Sequence, residues 1–508
     1  MSDLPVAQVD AVGKIETRGI DWIPEDERHS TPANLASVWI GAQLTFGVIV
    51  IGWLPVAFGL GWWSAVSAIT VGLFVGTIPF AFFSLLGPRT GTNSAVSSGA
   101  HFGLIGRLVG SVQALFIALG FAALTVWTGG DAIVSGAHRL IGTPEGDVAR
   151  GIAYAAIAAG VILIAIYGHA NVIAVQKFVI PTVGLSIIIG FFALAPDFNG
   201  GYKGGAYLLA TFWPTWLLAA TVAASLPISY TPFANDYARY ISPKRWSDRA
   251  VVVTAGVSMF GGLWVALIFA AYMTTMFKDV GTPFVIGLVQ IAPKWYVALV
   301  ILIGVFGSFA QGGLALYGTG LDVSSIIPRL KRVPATLLIS AVTLALVYLG
   351  AFVWNAFNTV SAFILLLIVI CTPWMMITLI GYVVCRGRYD PADLQLFNLG
   401  QRGGAYWYTA GWNLRAVIAF VPAVIVGLLS LNSTLYVGPW ANVANGVDMS
   451  FISAAVISTV VYGALVLFFP ERNHPKSGEE AGHFSATPGG EPIGGSGAID
   501  AIRTKPAS

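Results

Sequence analysis

Ser225-Leu226-Pro227-Ile228-Ser229-Tyr230-Thr231-Pro232 places two prolines and a run of hydroxyl side chains in the middle of an apolar segment. A membrane helix tolerates such an interruption only where the freed backbone groups meet protein or a water-filled cavity. A second stretch, Gly41-Ala42-Gln43-Leu44-Thr45-Phe46-Gly47, interrupts the first apolar segment in the same way. If segments one to five and six to ten are repeats, each interruption opens a five-segment half. Paired interruptions at equivalent places in two inverted halves point to a solute site at the bilayer midplane. Gln43, Gly47 and Ser229 are then candidate lining residues. Ordinary kinked helices in an unspecified bundle are the plain alternative.

The rest of the chain agrees with a membrane setting. Of 508 residues 56% are hydrophobic and 10% charged, with a mean hydropathy of +0.79. Ordinary soluble domains carry about 25% charged residues. A soluble enzyme, a nucleic-acid binder and a disordered scaffold are excluded. Spacing predicts an all-α polytopic protein of twelve spans, near 34–58, 62–86, 108–136, 149–168, 170–195, 208–231, 250–277, 295–320, 333–357, 359–385, 414–432 and 450–470. The least marked divisions are at Gly59-Leu60-Gly61 and Gly168-His169.

Residues 1–33 lack an apolar core followed by a cleavage site and read as a cytosolic tail, 34–470 as the membrane domain with its twelve spans, and 471–508, rich in Gly, Pro, Ser and Glu, as a disordered cytosolic tail. With the N-terminus inside, 21 Lys or Arg fall on the cytoplasmic side and five outside (Arg139, Arg150, Lys203, Lys278, Lys294). The positive-inside rule then places both ends in the cytosol of a multi-pass protein of the cell membrane.

Reactive side chains are few. Cys371 and Cys385 lie about 21 Å apart along one predicted helix, too far to pair. The six histidines fall in tails and connections, and no known nucleophile, metal or phosphate-binding pattern occurs. No cofactor is expected. Small residues, including the pairs Gly72/Gly76 and Gly106/Gly110, are expected to let helices approach closely. Ionisable groups inside spans are functional candidates because burying them costs about 2.5–3.5 kcal/mol. Asp131 is the one carboxylate placed well inside a span, and Lys177 lies near the start of span five. Asp236 and Asp322 sit at helix ends beside Arg239 and Arg329, where interfacial ion pairs are expected.

Several blocks then become recognisable in order. Gly19-Ile-Asp-Trp-Ile-Pro24-Glu-Asp-Glu-Arg28 precedes Val38-Trp39-Ile-Gly41-Ala-Gln43-Leu44. Gly87-Pro-Arg89-Thr-Gly91 runs on to Ser97-Ser98-Gly-Ala-His101-Phe102-Gly103. Thr231-Pro232-Phe-Ala-Asn-Asp236-Tyr237-Ala-Arg239-Tyr240 follows span six, and Gly387-Arg388-Tyr389-Asp390 precedes Gly411-Trp412-Asn413-Leu-Arg415-Ala416. Together they resemble the nucleobase:cation symporter-1 family, in its purine-cytosine permease branch.

The resemblance implies the leucine-transporter fold: two inverted five-helix repeats plus two helices, with a site between broken helices one and six and helices three and eight. It also implies import of a nucleobase-like heterocycle (cytosine, a purine, uracil or an allantoin-like ureide) by cation symport. In the family, aromatics of helices three and six sandwich the planar ligand while amides bond its edge. Carried over, the helix-three aromatic falls on Phe121 and an amide position one turn on falls on Thr125. The helix-six aromatic falls on Tyr230 and the helix-eight Asn on Gln311. Stacking tolerates different heterocycles, so hydrogen bonds from Gln311 are expected to set specificity.

Two departures from the family matter. Thr125 stands where an amide is usual, and the early part of helix eight, Ile301-Leu-Ile-Gly304-Val-Phe306, lacks the adjacent hydroxyls of the sodium-using relatives. A hard cation wants about six oxygen ligands, and Ser308 alone offers little. A proton is therefore favoured over sodium, with Asp131 or Lys177 as carriers. Thiamine or pyridoxine transport is the nearest alternative. A membrane-embedded enzyme would need clustered intramembrane acids or histidines, and a channel a ring of repeated polar groups. The partners implied are the heterocycle, the coupling cation and the lipid bilayer; the sequence leaves the oligomeric state open.

Overall fold

The computed structural model describes residues 13, 19–327, 330, 332–353, 356–432, 436–444 and 446–470; the tail at 471–508 and Arg329 lie outside this set. Among the described residues the regular structure is helical, with isolated bridges but no strand.

Thr31 caps the first helix, its side chain accepting from the Asn34 amide, and Pro32 sits in the first turn, where a missing N–H costs nothing. Helix α1 (Pro32–Gly41) stops at the glycine-bounded stretch, Thr45 adopts an extended conformation, and the chain resumes as α2 (Phe46–Ile49), a 3-10 turn and α3 (Leu54–Ala57). The two halves bend by 69°. There follow α4 (Trp62–Phe83), α5 (Leu86–Thr90), α6 (Ser94–Phe102), α7 (Leu108–Ile141), α8 (Asp147–Tyr167) and α9 (His169–Ala193). Gly168, at φ 96, separates α8 from α9 as the sequence indicates.

Span six behaves differently from span one. Helix α10 (Phe212–Ser229) and α11 (Thr231–Ala238) read through as one 27-residue span in which the helix lapses only at Tyr230. The expected break is a one-residue interruption, and local hydroxyls explain why. Ser225, Ser229 and Thr231 each donate to a carbonyl three residues back, at 2.7 Å in each case, which steadies the turns beside Pro227 and Pro232.

The chain continues through α12 (Asp248–Thr274), α13 (Phe284–Ile291), α14 (Lys294–Ile326), α15 (Arg332–Val353), α16 (Ala356–Val384), α17 (Pro391–Gln395), α18 (Leu414–Ser430) and α19 (Ser450–Phe468). Among the described residues ten helices are long and apolar enough to cross a membrane, or eleven if the bent pair is one span; α18, expected as a further span, is apolar but shorter.

Packing sorts most of these into two groups. Helices α1, α4, α10 and α12 lie against one another, and so do α7, α8, α9, α14 and α15. Gly72 and Gly76 serve as expected: a Cβ on them would lie 2.1 Å and 2.3 Å from carbonyls of Ala220 and Ala224, so α4 rides directly on α10. Gly106 and Gly110 do not form such a pair. Gly106 lies in the turn before α7, and Gly110 faces Trp374.

Residues 19–31, read from sequence as part of a tail, form a packed strap. Ile23 donates its amide to Gly91, Arg28 reaches the carbonyls of Ile23 and Pro88, and Ser30 pairs with Tyr240. The blocks around His101 and Asn413 also meet, the Asn413 side chain donating to the His101 carbonyl at 2.7 Å.

Candidate substrate site at the helix-one break

Four helices converge where α1 gives way to α2. Gly47 abuts α7: a Cβ on it would sit 2.4 Å from the Thr125 hydroxyl oxygen. Gly307 of α14 abuts the break itself, with the Leu44 carbonyl 2.5 Å from the equivalent position. Ser308 ties α14 to α7, its hydroxyl reaching the carbonyls of Thr125 (3.1 Å) and Gly304 (2.5 Å). At the interruption of span six, Tyr230 turns its ring to Phe121, with centroids 5.8 Å apart and planes inclined by 26°. The side-chain amides of Gln43 and Gln311 are the polar neighbours of its hydroxyl.

Gln43, Phe121, Thr125, Ser229, Tyr230, Ser308 and Gln311 are each no more than 2% exposed, and Gly47 is buried with them. Within this enclosure Gln43 Oε1, Thr45 Oγ1, Thr125 Oγ1, the Tyr230 hydroxyl and Gln311 Oε1 have no hydrogen-bond partner. A buried polar group left unsatisfied costs about 1–3 kcal/mol. Five gathered around the helix-one break beside two aromatic rings are hard to explain as packing. Two amide acceptors and three hydroxyls, each able to donate or accept, suit a flat ring with alternating donors and acceptors on its edge.

One expectation changes in form. A heterocycle sandwiched at optimal carbon contact needs rings about 7 Å apart, and Phe121 and Tyr230 stand closer than that. They touch each other here, so a sandwich requires one ring to swing outward.

Other candidates lie apart from this cluster. Ser229 commits its hydroxyl to Leu226, and Ser308 to the two carbonyls above; both act as backbone braces. Asp131 accepts from the Tyr154 hydroxyl at 2.7 Å and lies near Arg150, on the side of α7 that faces α8. Lys177 is exposed on the outside of α9, while its neighbour Gln176 is the residue that points inward, donating to the Ala310 carbonyl at 3.1 Å beside Gly41. Asp236 and Asp322 are both buried, and the charge of Asp236 acts on Asp322; Arg329, the arginine expected beside Asp322, lies outside the described residues.

Sequence reasoning missed several wall residues. Phe363 of α16 meets Phe121 edge to face at 5.7 Å, Trp39 meets Tyr230 at 5.8 Å, and Met259 accepts weakly from Gln43. Thr45 stood in the quoted break and carried a readable signal. Phe363 and Met259 sit in apolar runs that carry none.

Residues 22–452 match the family described as permeases for cytosine/purines, uracil, thiamine and allantoin. The chain belongs to this family. Among curated relatives, YxlA of Bacillus subtilis, provisionally described as a purine-cytosine permease, is 27% identical over 89% of this chain and 96% of its own. The purine-cytosine permease FCY2 of Saccharomyces cerevisiae is 27% identical over 44% of this chain and 42% of its own, so the match spans less than half of the yeast protein. Among solved structures, the nucleobase-cation-symport-1 transporter Mhp1 in its inward-facing conformation superposes with a TM-score of 0.69 at 16% identity, covering 91% of this permease and 96% of Mhp1. A sodium-coupled sialic acid symporter reaches 0.56 at 14% identity, with 90% and 92% covered. At these identities the likeness establishes the fold. The permease is thus a multi-pass membrane transporter with the leucine-transporter-like architecture, and not an enzyme.

Proposed function

We propose that this permease imports a nucleobase or closely related planar heterocycle, of the cytosine, purine, uracil or allantoin class, across the cell membrane together with a proton. The observation that carries the proposal is the cluster of five unpartnered polar atoms beside Phe121 and Tyr230 at the helix-one break. The family's stated substrates are all compact and rich in edge donors and acceptors, which suits that cluster.

The ligand rests on the aromatic faces while Gln311 and Gln43 read its edge. The residues that line the site are buried. Transport follows from motion of the α1, α4, α10–α11 and α12 group against the group containing α7 and α14. The ligand touches both groups and can drive the change only through a difference in affinity between states. The excess of Lys and Arg on the N-terminal side of the spans supports a cytosolic position for both termini.

A proton is favoured as the coupling ion because α14 offers only Ser308 at the level of the break, and its hydroxyl is already committed. The test is competition for uptake of one labelled base by cytosine, adenine, hypoxanthine, uracil, allantoin, thiamine and pyridoxine. It is repeated with a protonophore and with choline in place of sodium. Competition by bases and loss with the protonophore are expected. Competition by the vitamins alone, or strict sodium dependence, contradicts the proposal.

A further inference from the structure

Two glycines of α7 fix how that helix meets α16. A Cβ on Gly120 would collide with the Phe363 ring, and one on Gly110 would lie 3.0 Å from Trp374 Nε1. A step back along α7 is thus a step forward along α16, and the two helices run antiparallel along one seam.

Gln113 lies between these two contacts. It precedes Gly120 by seven residues, about two helical turns, and so shares the face that Gly120 turns to α16. A helical side chain leans back over the turn before its own Cα, which carries the Gln113 amide toward Gly110 and the Trp374 indole. Gln113 is 5% exposed and Trp374 is fully buried. Neither Oε1 nor Nε2 of the Gln113 amide has a hydrogen-bond partner, and neither does Trp374 Nε1. An amide placed there to tie helices together would be bonded, as buried polar groups ordinarily are.

The indole also sits at the division between the moving helix groups. Phe83, the last residue of α4, lies against Trp374 with ring centroids 5.1 Å apart and planes inclined by 38°. Helix α4 belongs to one group and α7 to the other, while α16 packs on both. Phe83 therefore holds a place beside the Trp374 ring that a flat ligand would need, and it is carried by the group whose motion opens the site.

From these placements we infer that Gln113 and Trp374 form a second, inner subsite for the transported heterocycle, occupied on the way to the cytosol. It lies about 12 Å along α7 from Phe121, eight residues at about 1.5 Å each. This inference rests on the transport reading of the neighbouring site, which puts the N-terminus in the cytosol and with it the head of α7 and the end of α4. As α4 withdraws from α7, Phe83 leaves Trp374 and the ligand takes its place. The indole then supplies a stacking face, and Gln113 reads the edge, accepting at Oε1 and donating from Nε2. The ligand class matches that of the helix-one break, because an aromatic face and an amide are again offered together.

The test is counterflow in membrane vesicles sealed with the N-terminal face inward, with tritiated cytosine outside and unlabelled cytosine inside, or adenine in both places if cytosine is not carried. Half-saturation is measured separately for the outer and the inner base. Gln113→Leu, similar in size but unable to bond, is expected to raise the inner half-saturation constant about five- to tenfold, the loss of one hydrogen bond, and to leave the outer one within about twofold. An unchanged inner constant, or an equal rise on both faces, overturns the subsite alone. Should Gln113→Leu not reach the membrane, Trp374→Phe, which keeps a ring and loses the N–H, replaces it under the same criteria, with an expected inner rise of about two- to fivefold. A wild type that exchanges neither base overturns the transport reading and the subsite with it.

Discussion

Gly47 and Thr125 approach so closely that a Cβ on the glycine would lie 2.4 Å from the threonine hydroxyl oxygen and 2.9 Å from its Cα. The side chain could turn aside, but the backbone could not. This contact fixes the second half of broken helix one against α7, one turn along from Phe121. Gly47→Ala should therefore overpack the site at a cost of about 1–3 kcal/mol, a loss of about five- to hundredfold in uptake at low substrate. Uptake normalised to protein in the membrane checks this; an unaffected rate would show that the contact does not shape the site.

Tyr230 offers a face to Phe121 and an unpartnered hydroxyl to the two amides. Tyr230→Phe retains the face and should weaken binding about five- to twentyfold, the size of one hydrogen bond of about 1–1.5 kcal/mol plus a small packing change. Tyr230→Ala should lose saturable transport altogether. Competition curves for a series of bases separate the two effects. Equal losses in both variants would mean that the hydroxyl carries all of the ring's contribution.

Lys177 is exposed on α9, one residue from buried Gln176. Lys177→Gln should leave accumulation driven by a pH gradient unchanged, whereas Gln176→Ala removes the tie to Ala310, next to Gln311, and should weaken uptake. Gradient-driven accumulation measured in both variants decides; a carrier uncoupled by Lys177→Gln would restore the lysine to the mechanism.

Asp448, just before α19, is 2% exposed and accepts from the Ser450 amide at 2.9 Å. Burial pushes its carboxyl up to about 6. The folded state then binds the proton more tightly than the unfolded chain, whose carboxyl titrates near 3.9. This contribution favours folding at acid pH and is lost as pH rises through about 6. Thermal unfolding of detergent-solubilised wild type and Asp448→Asn should diverge between about pH 4 and 6, the variant holding its stability on the alkaline side. Parallel melting curves across that range would contradict the assignment.

The breaks were legible because proline, glycine and hydroxyl residues announce lapses in backbone bonding. Their extent was not. The hydroxyls that open a chance of unwinding at Ser225, Ser229 and Thr231 also satisfy the carbonyls there, so span six merely hesitates while span one turns by 69°. Helix phase was equally hidden. Where a span is apolar on all sides, nothing in the sequence says that Gln176 faces inward and Lys177 outward. The influence of Asp236 of α11 on Asp322 of α14 was equally hidden, because the two are 86 residues apart in the chain and nothing local to either announces the other.

Gln311 is where the account is most exposed, since its unpartnered Oε1 is assigned the task of reading the heterocycle's edge. Saturable uptake of a labelled base by Gln311→Ala, compared with wild type at equal abundance in the membrane, tests it directly. Loss of saturable uptake with the protein still present is predicted. Kinetics indistinguishable from wild type would remove Gln311, and with it the proposed recognition of the ligand at the helix-one break.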